Sequence, residues 1–201
     1  LMRGLDPKVL GLCNVKYVLT HGDTPLQDAH FHLAWEGEDG INIYQNDLFV
    51  PRAFFRYDYD VVPEGDFWNG FYDRRFDLGE KVFLHQEPGR YAYSAAEKDV
   101  PGTSIIVPER YAPEETVYRV SSPRAGFLVV SNTWYPGWIC YVDGQRRNLL
   151  KANGCMWAVG VPPGEHKVRF VFRPAVFNFG MVISMVFLMF IFMAMGKKRY
   201  A

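Results

Sequence analysis

A run of 21 residues without a charged side chain, Ala175–Met195, constrains this chain more than any other feature of its sequence. Its clearly polar side chains are those of Asn178 and Ser184. A helix rises about 1.5 Å per residue, so the run spans roughly 30 Å, the hydrocarbon thickness of a bilayer. A helix on the surface of a soluble domain would carry a polar stripe, and this run has none. The sequence therefore predicts one transmembrane helix over residues 175–196.

Charges that flank this run predict its orientation. Arg173 alone precedes it closely, whereas three basic residues follow at once: Lys197, Lys198 and Arg199. Short basic flanks stay in the cytoplasm, so we expect residues 197–201 to form a cytoplasmic anchor and residues 1–174 to lie outside the cytoplasm. The opening Leu1-Met2-Arg3 lacks the pattern of a secretory signal peptide. We therefore expect the chain to be the C-terminal piece of a longer membrane protein.

The charge distribution and the cysteine count limit the binding partners and the disulfides that can be expected. The other 19 basic residues and all 22 acidic residues precede the uncharged run, and no basic cluster occurs among them. Nucleic acid is therefore not an expected partner. The chain has three cysteines, Cys13, Cys140 and Cys155, so at least one of them is not part of an intramolecular disulfide. A disulfide between Cys140 and Cys155 is an open alternative if the domain lies in an oxidising compartment.

We expect residues 1–80 to form a strand-rich N-terminal segment that packs on, or leads into, the following domain. A helical turn precedes a strand at 15–19, and β-prone runs at 31–35 and 41–45 flank Gly-Glu-Asp-Gly, which favours a hairpin. A further extended run covers 51–62. Residues 64–78 fit either a short helix, with Phe67, Phe71 and Arg74 on one face, or an irregular loop.

Residues 81–174 contain short β-prone runs at roughly ten-residue spacing, with turn residues between them. This pattern predicts that the chain is mainly β and that these residues form an extracytoplasmic β-sandwich. The runs begin with KVFLHQ and GRYAYSAA and end with MWAVGV and HKVRFVFRP. The predicted structural turns contain Pro136, Gly137, Asp143, Gly144, Pro162 and Gly164. Val-Asp-Gly-Gln and Pro-Pro-Gly-Glu favour hairpin connections, with His166 closing the second hairpin.

One stretch resembles a known family. The segment from Gly126 to the membrane helix is similar to the C-terminal region of YfhO-like bacterial membrane proteins, through matches at Gly126-Phe127-Leu128-Val129, Ser131, Thr133, Tyr135-Pro136-Gly137-Trp138, Tyr141-Val142-Asp143-Gly144, Ala152-Asn153, Val161-Pro162, Gly164 and His166. LCNVKYV at 12–18 and PRAFF at 51–55 also resemble family landmarks. Ile139-Cys140 and Cys155 depart from the usual pattern.

The resemblance implies a polytopic protein of the bacterial cell (inner) membrane, a glycosyltransferase that uses polyprenyl-phosphate sugars outside the cytoplasm to decorate envelope polymers such as teichoic acids. Its catalytic acidic residue would lie in an outer loop near the N-terminus of the parent protein, and no residue of this chain matches it. This chain would then be accessory, with no catalytic residue and no cofactor of its own. Its implied partners are the lipid bilayer, the upstream transmembrane core, and the polyprenyl-phosphate sugar or envelope glycopolymer.

Two features are candidates for substrate binding. An aromatic cluster around Pro136-Gly137 consists of Trp134, Tyr135 and Trp138, with Trp157 nearby. These side chains either form a platform on which sugars or lipid headgroups stack, or belong to the core and to the membrane interface. Core packing is the favoured interpretation. Arg52, within PRAFF, requires an anionic partner, either an acidic residue or a sugar-phosphate, and the ion pair is favoured.

Other polar clusters carry weaker signals. His30 and His32 share one side of a strand, but no further Cys/His pattern completes a metal site, so no metal is predicted. The acidic residues Asp58, Asp60, Glu64 and Asp66 could supply a glycosidase pair or a solvent-facing edge. Motifs of stand-alone catalysis are lacking. The alternatives are a membrane-anchored carbohydrate-binding or adhesion module and a structural lid without a ligand.

Overall fold

The computed structural model describes residues 6–22, 24–72, 76, 79–89 and 103–197. Over these ranges the chain is mainly β. The helices are α1 (Pro7–Leu12), α2 (Glu64–Tyr72) and α3 (Ala175–Lys197). The strands are β1 (Tyr17–His21), β2 (Phe31–Glu36), β3 (Ile41–Asn46), β4 (Ala53–Arg56), β5 (Asp58–Val61), β6 (Lys81–Leu84), β7 (Ile105–Ala112), β8 (Glu115–Ser122), β9 (Gly126–Val130), β10 (Trp138–Val142), β11 (Gln145–Arg147), β12 (Leu150–Ala152), β13 (Met156–Val161) and β14 (Gly164–Phe172).

A three-stranded antiparallel sheet in the order β1-β3-β2 lies near the start of the chain. The predicted hairpin is confirmed: β2 pairs with β3 from Phe31 opposite Asn46 to Glu36 opposite Asn42. Gly37 donates its N–H to the Ile41 carbonyl at 2.9 Å, and Gly40 takes a φ of 73°. A glycine accepts this left-handed conformation without a steric cost, so the Gly-rich connection closes the hairpin.

A five-stranded antiparallel sheet has the order β11-β10-β14-β8-β7. β10 and β11 are joined by Asp143 and Gly144, whose φ angles are 51° and 79°, and Val142 lies opposite Gln145. Two successive positive φ angles identify a type I′ turn, whose twist matches that of antiparallel strands.

A six-stranded sheet has the order β4-β9-β13-β12-β6-β5. Its two edge strands, β4 and β5, are consecutive in the chain and separated by Tyr57 alone. Because consecutive Cα atoms lie about 3.8 Å apart, the two edges must meet at this residue, and the sheet curls on itself. The first half of this bent strand pairs with β9 and the second half with β6.

The five- and six-stranded sheets pack face to face around a core that includes Leu128 and Trp157 from one sheet and Tyr118, Cys140 and Phe170 from the other. The opposite face of the six-stranded sheet is covered by a second core, in which Phe67 and Phe71 of α2 are fully buried and Leu12 of α1 joins them. Strands β9 and β13 are therefore buried along their whole length. Burial on both faces explains why these two strands are continuously apolar.

Several local predictions are decided by the structure. Residues 64–78 take the helical alternative over Glu64–Tyr72, whereas Arg74 lies outside the described residues. The short strands β11 and β12 were not predicted. The predicted strand GRYAYSAA, apart from its first residue, and the basic residues Lys198 and Arg199 also lie outside the described part of the chain.

The predicted hairpin at Pro-Pro-Gly-Glu is wrong. β13 pairs with β9 and β12 in the six-stranded sheet, whereas β14 pairs with β10 and β8 in the five-stranded sheet. Pro162 and Pro163 therefore carry the chain from one sheet to the other. Proline has no N–H to donate to a ladder, so two prolines in succession end the pairing of β13 and release the chain. His166 accordingly closes no hairpin.

The described chain is mainly β, with several sheets and a C-terminal helix. Among the residues whose side chains are described, no helix has the length and apolarity needed to cross a membrane. Crossing by α3 therefore stays a prediction, as does the division at residue 80, whose two sides both contribute strands to the six-stranded sheet.

Candidate functional site at the helical end of the sandwich

The loop between β9 and β10 lies against the segment that leads into α3. The Arg173 N–H donates to the Gly137 carbonyl at 2.7 Å. A Cβ atom on Gly137 would lie 3.1 Å from the Cα of Pro174. The ring of Tyr135 has its centre 6.3 Å from that of Phe172. We call the region formed by this loop and residues 172–174 the α3 end of the sandwich.

Two tryptophans pack together at the α3 end. Trp157 is 1% exposed, and its indole N–H donates to the Thr133 carbonyl at 3.1 Å. The ring centre of Trp138 lies 4.4 Å from that of Trp157 and 5.2 Å from that of Phe172. Trp157 therefore belongs to the core with its polar atom satisfied, whereas Trp138 is half-buried and retains an accessible part of its ring.

This accessible part lines a cleft of about 300 Å³. The cleft is lined by Tyr111, Ala112, Pro113, Thr116, Asn132, Thr133, Trp138 and Trp157. Aromatic rings and polar groups thus face one small space, which is the usual composition of a ligand site. Its volume lies at the small end of the range for such sites, roughly 300–1,000 Å³.

Arg52 lies beside the cleft. Its carbonyl accepts the Ser131 N–H at 2.7 Å, which fixes the backbone just before β4. Its guanidinium donates to the phenol oxygen of Tyr111 and, at 3.3 Å, to Oδ1 of Asn132. Both side chains line the cleft. The favoured ion pair is not what the described contacts show, because both of these partners are neutral. Arg52 therefore adds a positive charge to the edge of an aromatic cleft.

The carboxylate of Glu115, which lies near the cleft, is paired with arginine side chains. Glu115, next to Thr116 of the cleft lining, accepts from Arg169 and pairs with Arg110 at 2.9 Å. The hydrogen bond from Arg169, together with the charge of Arg110, lowers the pKa of Glu115. Burial raises the pKa of the Tyr118 phenol to about 12, against the opposing charge of Arg52. Both groups therefore stay in their usual ionisation states near neutral pH.

Two of the four acidic residues considered for a glycosidase pair bind lysine side chains. Asp60 pairs with Lys81 at 3.1 Å, and Glu64 binds Lys151, whose hydrogen bond lowers the pKa of Glu64. A general acid of a glycosidase requires a raised pKa instead. Among the described carboxyl groups, each one with a shifted pKa is shifted downward: Glu64, Glu109, Glu115 and Asp143.

The other aromatic candidates lie apart from the cleft lining. Tyr135 is 61% exposed on the α3 end. Trp134 packs against the core between the sheets, with Nζ of Lys151 5.8 Å from its ring centre. Arg52 and Trp138 are therefore brought to one cleft, whereas Trp134 and Tyr135 take separate positions. Sequence reasoning missed Tyr111 and Asn132. Asn132 lies in the YfhO-like segment, but no sequence signal marked Tyr111.

The remaining candidates have structural roles. Asp143 accepts from Nδ1 of His166 at 2.6 Å and from the Lys167 N–H at 2.8 Å. These hydrogen bonds join the Asp143-Gly144 turn to the first half of β14. His32 binds Asp47, and no three potential ligands come together for a metal within the described residues. All three cysteines are free, with Cys140 buried between the sheets, so a Cys140–Cys155 bridge is not formed.

Comparison with known protein families gives a match to part of the chain. The sequence model of the family described as bacterial membrane protein YfhO matches residues 106–184. This range begins in β7, contains all eight residues of the cleft lining and ends inside α3. The landmarks at 12–18 and 51–55 lie outside it. No curated protein and no solved structure matches the chain. Through residues 106–184, this chain is similar to the YfhO family of bacterial membrane proteins.

Proposed function

We propose that this chain is the C-terminal extracytoplasmic domain and last membrane helix of a polytopic YfhO-like glycosyltransferase, in which it binds the polyprenyl-phosphate sugar or the acceptor polymer without catalysing transfer. The observation that carries the proposal is the position of the cleft. It combines Trp138 with the cation of Arg52 at the end of the sandwich from which α3 leaves. A lipid-linked sugar-phosphate would present its anionic and sugar groups at this level.

The surface of α3 supports its placement in the bilayer. Each large hydrophobic side chain described in α3 is exposed, by between 41% at Ile191 and 84% at Val176. Exposed apolar area costs about 25 cal/mol per Å² in water, so such a helix requires an apolar surrounding. The basic residues after α3 would hold its C-terminus in the cytoplasm.

Cysteine labelling in intact cells tests this topology. Cys13 and Cys155 are first replaced by serine, and a single accessible cysteine is introduced as Tyr135→Cys or after Ala201. We expect a membrane-impermeant maleimide to label Tyr135→Cys without permeabilisation and the C-terminal cysteine only after it. The reverse pattern would reject the orientation, and equal labelling of both would reject the crossing.

Binding of a polyprenyl phosphate, with and without an attached hexose, tests the site in the full-length protein in detergent. A charge-assisted hydrogen bond contributes about 1.5–3 kcal/mol, so Arg52→Gln should weaken binding roughly 10- to 100-fold. Arg146→Gln is the matched control, because Arg146 lies on β11 at the far end of the sandwich. Equal effects of the two substitutions would overturn the assignment of Arg52.

The alternative function is a membrane-anchored carbohydrate-binding or adhesion module, which the exposed ring of Tyr135 favours. Such a module would bind neutral glycans, with a loss on Tyr135→Ala and no effect of Arg52→Gln. A lid without a ligand would show neither type of binding, and its deletion would destabilise the parent protein.

A further inference from the structure

The three-stranded sheet has one face that packs on the domain and one that does not. On the first face, Phe31, Tyr44 and Asn46 are buried. Nδ2 of Asn46 donates to the carbonyl of Pro7 at 2.9 Å and to that of Val15 at 3.2 Å. This face is therefore fixed to the rest of the domain.

The opposite face is exposed and carries five apolar side chains together with the polar side chains of His21, His32 and Gln45. Directly opposite residues of antiparallel strands lie on the same face, and Leu19 pairs with Ile43, which also pairs with Trp35. Tyr17 lies two residues from Leu19, and Ile41 two residues from Ile43, so all five side chains share this face. We call it the outer face. Leu19 is 66% exposed and Trp35 is 53% exposed.

A bulge places the largest of these side chains. The register between β2 and β3 shifts between Leu33 and Trp35, so that Trp35 rather than Ala34 lies opposite Ile43. Without the shift, the small side chain of Ala34 would occupy this position. A bulge adds a residue to one strand and redirects the side chains that follow it. The register thus directs an indole ring to the exposed side.

The sheet is attached at the α3 end. The hydroxyl of Ser131 donates to the Leu12 carbonyl at 3.1 Å, and Nδ2 of Asn14 donates to the Val50 carbonyl at 2.7 Å. The Ser131 N–H also binds the carbonyl of Arg52. The segments that enter and leave the sheet are therefore held at Ser131, where the loop toward Gly137 and α3 begins.

We propose that the outer face rests in the headgroup region of the bilayer and acts as a second membrane contact beside α3. The inference rests on the proposed placement of α3. Tyrosine and tryptophan are enriched at this level of a membrane, where their rings meet both apolar and polar surroundings. Nζ of Lys16 lies 5.2 Å from the ring centre of Tyr17, so a cation is available for lipid phosphates.

The size of the face favours lipid over a protein partner. A stable protein interface usually engages about 20–30 residues on each side. The outer face offers five apolar and three polar side chains, which is too few for such an interface. The carboxylates of Glu38 and Asp39 lie at the hairpin tip, so we expect the tip to stay in water.

Spin labels on two leucines test this contact in the full chain reconstituted in phosphatidylcholine–phosphatidylglycerol vesicles. Leu19→Cys reports on the outer face, and Leu33→Cys, at an equally apolar residue 50% exposed on the opposite face, is the matched control. A third label at Phe187→Cys reports on α3. Cys13 and Cys155 are replaced by serine. Power saturation with oxygen and with a water-soluble nickel complex measures exposure to lipid and to water.

We expect the Leu19 label to be accessible to oxygen and protected from nickel by at least fivefold relative to the Leu33 label. Equal nickel access at both sites, with the Phe187 label in lipid, would overturn the inference alone. Protection of Leu19 from both reagents would indicate a protein cover and also overturn it. A Phe187 label in water would reject the proposed function together with the inference. Quenching by brominated lipids that decreases in Trp35→Phe, but not in Trp68→Phe, would give the same answer without labels.

Discussion

The ion pair between Asp143 and His166 gives a prediction of how stability depends on pH. Asp143→Asn keeps the turn, because asparagine also tolerates a positive φ, and keeps an oxygen for the Lys167 N–H. It removes the charge that faces His166. In the native protein, the two ring nitrogens of His166 face oxygen atoms, Oδ2 of Asp143 at 2.6 Å and the Pro163 carbonyl at 3.0 Å. Both contacts are satisfied only when both ring nitrogens carry protons.

These contacts set the direction of each pKa. Burial opposes the charge of His166, but the bonds to Asp143 and to the Pro163 carbonyl outweigh it and raise its pKa. Stability from this group is therefore complete below its unfolded value of about 6.5 and is lost as the pH rises through the folded pKa. The bond from His166 lowers the pKa of Asp143. Stability from this group is present above about pH 3.9 and is lost as the pH falls through its folded pKa.

The ion pair should therefore contribute most to the free energy of unfolding between about pH 4 and pH 6.5. Its size is limited by solvent, because the side chain of Asp143 is 51% exposed, although that of His166 is only 17% exposed. Exposed pairs contribute about 0.2–1 kcal/mol, so we expect Asp143→Asn to lower the free energy of unfolding by roughly 0.5–1 kcal/mol in this window. The loss should shrink as His166 loses its proton.

Urea unfolding of the full chain in detergent, followed by tryptophan fluorescence at pH 5.5 and pH 8.5, measures the effect. His166→Gln and the double variant complete a thermodynamic cycle that isolates the pair from other effects of each substitution. A loss of equal size at the two pH values, or a coupling of zero at pH 5.5, would refute the reasoning.

Three further predictions concern packing and reactivity. Phe67→Ala should lower the free energy of unfolding by about 3–5 kcal/mol because its ring is fully buried, whereas Tyr72→Ala on the same helix, 60% exposed, should cost less than about 1 kcal/mol by the same denaturation assay. Gly137→Ala should lower the melting temperature, because its φ of 109° strains any other residue by about 1–3 kcal/mol; an unchanged temperature would contradict this. A maleimide should modify exposed Cys13 in the native protein and buried Cys140 only after denaturation, as mass spectrometry would show.

Local chemistry made several elements predictable. The hairpin of β2 and β3 follows from two β-prone runs around a Gly-rich connection, and β8 coincides with the predicted run ETVYRVSS. Each depends on residues that are neighbours in the chain, so turn chemistry and side-chain alternation are sufficient. The short strands β11 and β12 have three residues each, too few to show an alternation.

The cleft could not be predicted in the same way. Arg52 meets Tyr111 and Asn132, which are 59 and 80 residues away along the chain. Their contact depends on β4 pairing with β9 and on the two sheets packing face to face. The side-chain pattern of one strand does not specify which strand lies beside it, so the sequence could not predict the contacts of Arg52 with Tyr111 and Asn132.

By itself, the sequence determined the mainly β character of the domain, the similarity of residues 106–184 to the YfhO family, and the absence of charge over Ala175–Met195. These properties follow from side chains that are close together in the chain. Tertiary structure alone decided that Pro162-Pro163 joins two sheets, that Tyr57 closes the curled sheet, and which side chains surround the cleft. The physical reason is that strand pairing and sheet packing depend on burying apolar faces between distant segments, which no local pattern specifies.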